Sequence, residues 1–116
     1  MRKLKVVVKE PFKNAEVREI KAGLETLQGL VDGLIEAVTP DDFCYEHNIV
    51  AYVNDEGKLY HLLPNLRVWD GADFLVGTCV FVKADEEGSD ISMTDEEIQH
   101  VLKLCRETAF HIDEFR

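Results

Sequence analysis

The run Phe74-Leu75-Val76-Gly77-Thr78-Cys79-Val80-Phe81-Val82-Lys83 decides the reading of this chain. Its β-branched and aromatic residues, and its short length, favour a strand over a helix. It is the most apolar of the expected strands, so it belongs at the centre of a sheet. A glycine inside such a strand marks a bulge or a close approach of another backbone. The packing reading puts Gly29 of the first helix against Gly77. The functional reading puts a ligand or a partner there, which makes Gly77 and Thr78 candidate binding residues.

Working outward, Asp85-Glu86-Glu87-Gly88-Ser89-Asp90 is a solvated loop. A helix then starts at Thr94-Asp95-Glu96-Glu97. Threonine at the cap and glutamate three residues on form a capping box, with Met93 and Ile98 placed as a hydrophobic staple. Ile98, Val101, Leu102, Cys105 and Ala109 recur three or four apart and form a stripe that covers one sheet face.

On the other side, residues 47–53 and 58–63 read as a β-hairpin closed by Asp55-Glu56-Gly57, with Tyr52 opposite Tyr60. Residues 64–73 are the least regular stretch. Residues 4–9, LKVVVK, read as the first strand, and residues 15–20 extend it or pair with it. Residues 23–32 present Leu24, Leu27, Leu30 and Val31 on one helical face, with Gly33 as a left-handed C-cap. Residues 34–38 follow as a strand. The sum is one α+β domain over residues 1–116: a mostly antiparallel sheet with two helices packed on it.

The formal net charge is -10. Residues 1–40 hold 7 Lys/Arg and 6 Asp/Glu, whereas residues 41–116 hold 6 and 17. Such a surface repels phosphate backbones and anionic membranes, so no direct nucleic-acid binding and no membrane binding are expected. Met1-Arg2-Lys3 leads into only a short apolar run, which is too short for a signal peptide or a membrane span. A cytoplasmic protein is expected. Cys44, Cys79 and Cys105 are odd in number and widely spaced, which is not a disulfide framework.

Candidate chemistry is thin. Cys44, Glu46, His47 and His61 lack zinc-ligand spacing, and a strand through Cys44 and Glu46 would turn His47 away. Asp85, Glu87, Ser89 and Glu96 echo a calcium loop but place Asp90 where glycine is needed. Cys79 and Cys105 lie on apolar faces and read as buried small hydrophobes. The glycines form no phosphate-binding loop. No catalytic constellation, cofactor or metal site is expected. Asn65, Arg67 and Trp69 sit in the irregular connection, where binding residues concentrate, although a lone tryptophan is more often partly core.

The order of these features resembles a small family of phage and mobile-element proteins, domain of unknown function 3846. The resemblance rests on EVREIKAGLETLQGLVDGLIEAV (16–38), VNDEGKLYHLLPN (53–65), LVGTCVFV (75–82) and SMTDEEIQHVLKL (92–104). It implies a mobile-element accessory protein and carries no catalytic residue across. The family typically places arginine directly after the asparagine that follows the turn; here the order is Asn65-Leu66-Arg67.

Three functions fit. The first is a non-enzymatic protein-binding module, monomeric or a homodimer, that uses Asn65, Arg67 and Trp69. The second is an acidic decoy that imitates DNA and occupies a host defence protein. The third is a small-ligand binder for a nucleotide signal, anchored by Arg67, Gly77-Thr78, Tyr52 and Tyr60.

Overall fold

Val6, Val7 and Val8 are all buried. Consecutive residues of a strand point to opposite faces, so both faces of this sheet are covered. The computed structural model describes residues 2–115. In chain order the elements are β1 (Lys3–Lys9), β2 (Glu16–Lys21), α1 (Leu24–Val31), β3 (Ile35–Val38), α2 (Asp42–Glu46), β4 (Ile49–Asn54), β5 (Pro64–Val68), β6 (Asp73–Val76), β7 (Cys79–Ala84), β8 (Asp90–Ile91) and α3 (Asp95–Thr108). The main sheet runs β2-β1-β7-β4-β3, with β8 beside β7, and β5 and β6 form a separate ribbon. Every pairing is antiparallel.

Three layers result. Leu4, Val6, Val8, Val80 and Val82 pack with Leu27 and Val31 of α1 on one face. Val7, Ala51 and Phe81 pack on the other with Ile98, Val101 and Cys105 of α3 and with Leu66, Val68 and Leu75 of the ribbon. Each such valine or leucine contributes about 1.5–3 kcal/mol on burial. The α+β class, the antiparallel sheet, the β1–β2 pairing and the final helix are as the sequence indicates. The capping box is complete: Thr94 accepts from the Glu97 backbone, and the Glu97 side chain accepts from the Thr94 backbone. Among the described residues no helix is long and apolar enough to cross a membrane.

Several expectations are corrected. There is no 47–53/58–63 hairpin. β4 is already flanked by β3 and β7, so Tyr52 lies opposite Ala37 and Val80 and never meets Tyr60. Residues 55–63 coil instead through Tyr60 N–H to Glu56 and Leu62 N–H to Gly57. Residues 64–73 are not merely irregular, because they contain β5. Cys44 lies not on a strand but in α2, a short helix capped by Asp41. The left-handed cap of α1 is Asp32, not Gly33.

The apolar run is not one strand but two. It breaks at Gly77, whose φ is 71°, and β6 leaves the main sheet while β7 takes its centre. What lies against Gly77 is Leu62, not Gly29: a Cβ at position 77 would sit 2.8 Å from Leu62 Cδ1. Gly77→Ala is expected to lower stability by about 1–2 kcal/mol, the cost of a left-handed alanine, with Leu62 yielding by rotation. Urea unfolding monitored by circular dichroism measures this; an unchanged midpoint would contradict the strand-switch role.

Candidate functional site

Trp69 is the largest side chain left outside the core, with 53% of its surface exposed. The expectation that it is partly core is corrected here. It opens a tight turn, Trp69–Gly71, in which all three residues have positive φ (52°, 55° and 86°). Left-handed backbone at a non-glycine residue costs roughly 1–2 kcal/mol. Such strain clusters at binding and catalytic sites. The indole is also fixed in direction, because its Nε1–H donates to the Thr39 carbonyl at 3.0 Å, just beyond β3. The ring is thus exposed and held in place at once.

Trp69 borders a hollow of about 290 Å³ between the β3–β4 edge of the main sheet and the β5–β6 ribbon. Leu59 and Phe74 line it as well, and both are exposed. A shallower hollow beside it is lined by Leu34 and Tyr60 and shares Asn54 and Glu56 with the first. One apolar face therefore runs from Phe74 through Trp69 and Leu59 to Tyr60 and Leu34. Asn54 anchors the coil that presents it: its Nδ2 donates to the carbonyls of Val31 and Asp32, and its Oδ1 accepts from Glu56 N–H.

The polar groups of this face are mainly acidic. Glu36, Asp55, Glu56 and Asp73 line the first hollow, and its lysine, Lys58, pairs with Asp73 at 2.6 Å. Lys58 Nζ also sits 4.7 Å above the Phe74 ring. A hydrogen bond with the Asp55 carboxyl, then burial and the charge of Asp55, hold the Glu36 carboxyl above its ordinary range. Two carboxyl groups thus press on one another at the edge of the hollow.

The other sequence-derived candidates do not converge on Trp69. Asn65 is 0% exposed. Its Oδ1 accepts from Lys9 Nζ at 2.9 Å, and its Nδ2 donates to the Lys9 and Gly77 carbonyls at 2.7 Å each. It is a hub that joins β1, β5 and the β6–β7 break. Arg67 pairs with Glu114 and lies 3.9 Å over the Phe110 ring, so its guanidinium ties β5 to the C-terminal segment. Gly77 is buried beside Leu62, and Thr78 is half-buried. Tyr52 packs among the residues on the α1 face, and its hydroxyl reaches Asp90 at 3.5 Å. Tyr60 alone joins Trp69 on the continuous face.

Two polar clusters escaped the sequence reading. Glu97 accepts from Lys83 and lies 2.8 Å from His47 Nδ1, while Phe43 stacks between His47 and His100 at 3.9 and 3.8 Å. Asp41, Cys44 and His100 bring one ligand-type atom each within 4.8 Å of one another. Hydrogen bonds already commit both Asp41 oxygens, one to Cys44 N–H and one to His100 Nε2, each at 2.8 Å. Burial would raise the Asp41 pKa, but the bonds from Cys44 and His100 hold it below its ordinary value. The trio thus reads as a helix cap tied to α3. The four residues weighed from sequence do not form it: of them only Cys44 belongs, and Glu46 and His61 are exposed.

All three cysteines are free and buried. Burial pushes the Cys105 thiol up to about 12 and raises Cys44 and Cys79 as well. A nucleophilic thiolate needs the opposite environment.

No curated protein and no solved structure matches the chain. One family model does, covering residues 1–106, and by that match the chain belongs to the family described as Domain of unknown function (DUF3846).

Proposed function

We propose that the domain is a protein-binding module, acting by recognition rather than catalysis, and that it docks its partner on the Trp69 face. The observation that carries this reading is the exposed indole held by Thr39 in a left-handed turn. An aromatic ring already fixed in direction loses little entropy on binding, and buried tryptophans are frequent centres of binding energy. Leu59, Phe74 and Tyr60 extend the contact around it. The acid pair Glu36 and Asp55, whose carboxyls hydrogen-bond to one another at the edge of the hollow, points to the partner's chemistry: an apolar side chain for the hollow, flanked by lysine or arginine. A cation placed there relieves the repulsion between the two carboxyls.

Trp69→Ala is expected to weaken the partner complex by roughly 30-fold or more, as for a central aromatic anchor. The test starts by capturing proteins on the immobilised wild-type domain. Each recovered protein is then titrated against wild type and Trp69→Ala, with circular dichroism confirming the fold of the variant. Equal affinity for both forms would remove Trp69 from the site.

A further inference from the structure

Lys9 closes β1 in phase with Val7, and only 3% of its surface is exposed. A buried ammonium is costly unless it is paired, by several kcal/mol. Here its two acceptors are neutral: Asn65 Oδ1 at 2.9 Å and the Glu10 carbonyl at 2.8 Å. An ammonium has three donors, so among the described residues these two bonds leave one proton, and the charge, without an anionic partner. Burial lowers the Lys9 pKa, and the nearby Cys105 and Cys79 sulfurs offset this only in part.

This lysine lines a cavity of about 660 Å³ between the residues that follow β1 and the C-terminal half of α3 with its trailing segment. That volume lies within the usual range for small-ligand sites, about 300–1,000 Å³. The walls carry Lys13, Arg106 and His111 beside Lys9, with Asp113 the carboxylate among them. In a chain of net charge -10 this is a local reversal of sign. The rings of Phe12 and Phe110 line the same space, and Phe115 bridges them at 5.8 and 6.0 Å. Phe12 itself is held in left-handed backbone, with φ 62°.

We infer that this cavity binds a small aromatic phosphate monoester, with its phosphate on Lys9, Lys13 and Arg106 and its ring against Phe12 and Phe110. Lys9, Lys13 and Arg106 outnumber the carboxylates beside them, Asp113 in the wall and Glu10 at 3.8 Å from Lys13 Nζ, and this surplus of positive charge suits a dianion better than a monoanion. The aromatic wall requires a flat apolar body on that dianion. None of these residues lines the Trp69 hollow, so the two sites stand or fall separately.

The test is calorimetry on the full chain with phenyl phosphate, beside inorganic phosphate and phenol as half-ligands. Phenyl phosphate is expected to bind at least about tenfold more tightly than either half. Lys13 and Arg106 are exposed, so Lys13→Gln with Arg106→Gln is expected to weaken binding about tenfold at an unchanged melting temperature. Lys9→Met is expected to abolish binding, and amide NMR spectra establish that this variant is folded. Absence of phenyl phosphate binding to wild type at millimolar concentration overturns the inference. So does binding that ignores the Lys13/Arg106 double substitution. Inorganic phosphate binding as tightly as phenyl phosphate overturns the aromatic part.

Discussion

Replacing Asn65 with leucine is expected to cost about 3–5 kcal/mol of folding stability, the range for breaking a buried charged network. A single side chain here satisfies three buried groups: the Lys9 ammonium, the Lys9 carbonyl and the Gly77 carbonyl. Leucine fills similar space but satisfies none of them, and the lysine is left as a buried charge with one acceptor. The loss should be partly reversed by adding Lys9→Met, because removing both partners of a buried polar pair costs less than removing one. Urea unfolding of the two single variants and the double variant gives the coupling directly. A leucine variant within about 1 kcal/mol of wild type would show that the hub holds little.

Acid should strip a second large contribution, centred on Glu97. This carboxylate is only 2% exposed, yet it serves Lys83, His47 and the Thr94 cap together. Burial by itself would raise its pKa, but the bonds from Lys83, from the Thr94 backbone and from His47 prevail and hold it at about 2, against an ordinary 4.5. The unfolded chain therefore binds this proton more readily than the folded one. The stabilisation is complete above pH 4.5 and disappears as pH falls from there through about 2. Its size is on the order of 3 kcal/mol. Urea midpoints of wild type and Glu97→Gln, followed from neutral pH downward, should converge in acid. Parallel curves would contradict the assignment, because the substitution would then be removing something other than a titrating charge.

How much of this was legible in the sequence depended on whether the cause was local. The capping box at Thr94 and Glu97 is a four-residue device, and it formed as read. The valines of β1 and β7 are β-branched whatever surrounds them. The hairpin failed because its supposed first strand, β4, had both edges taken by β3 and β7, which come from distant parts of the chain. With no edge free, Asn54 turned its side chain to the end of α1 and started a coil. No spacing within residues 47–63 reveals that competition. A glycine inside an apolar strand is a local signal at Gly77, but its role as the switch between two sheets depends on Leu62 on one side and Asn65 on the other.

The same logic separates the site residues. Trp69 is legible as a lone tryptophan in an irregular connection. That it faces outward follows from Thr39, thirty residues earlier in the chain. Asn65 sits in a connection that reads as irregular, which suggests binding; its role as a buried hub depends on Lys9 and Gly77, 56 and 12 residues away. Lys9 stands at the polar end of the LKVVVK strand. Its phase with Val7 was the available clue, since that register points it towards the face where α3 packs.

The central claim, recognition of a partner on the Trp69 face, is tested most directly by selecting a displayed random peptide library on the wild-type domain with depletion on Trp69→Ala. Trp69 is the sole tryptophan, so the fluorescence of each selected complex reports on that ring alone. The account predicts peptides with an apolar or aromatic anchor flanked by lysine or arginine, each shifting the emission to shorter wavelength on binding. Peptides that bind the alanine variant equally well, or that leave the emission unmoved, would contradict it.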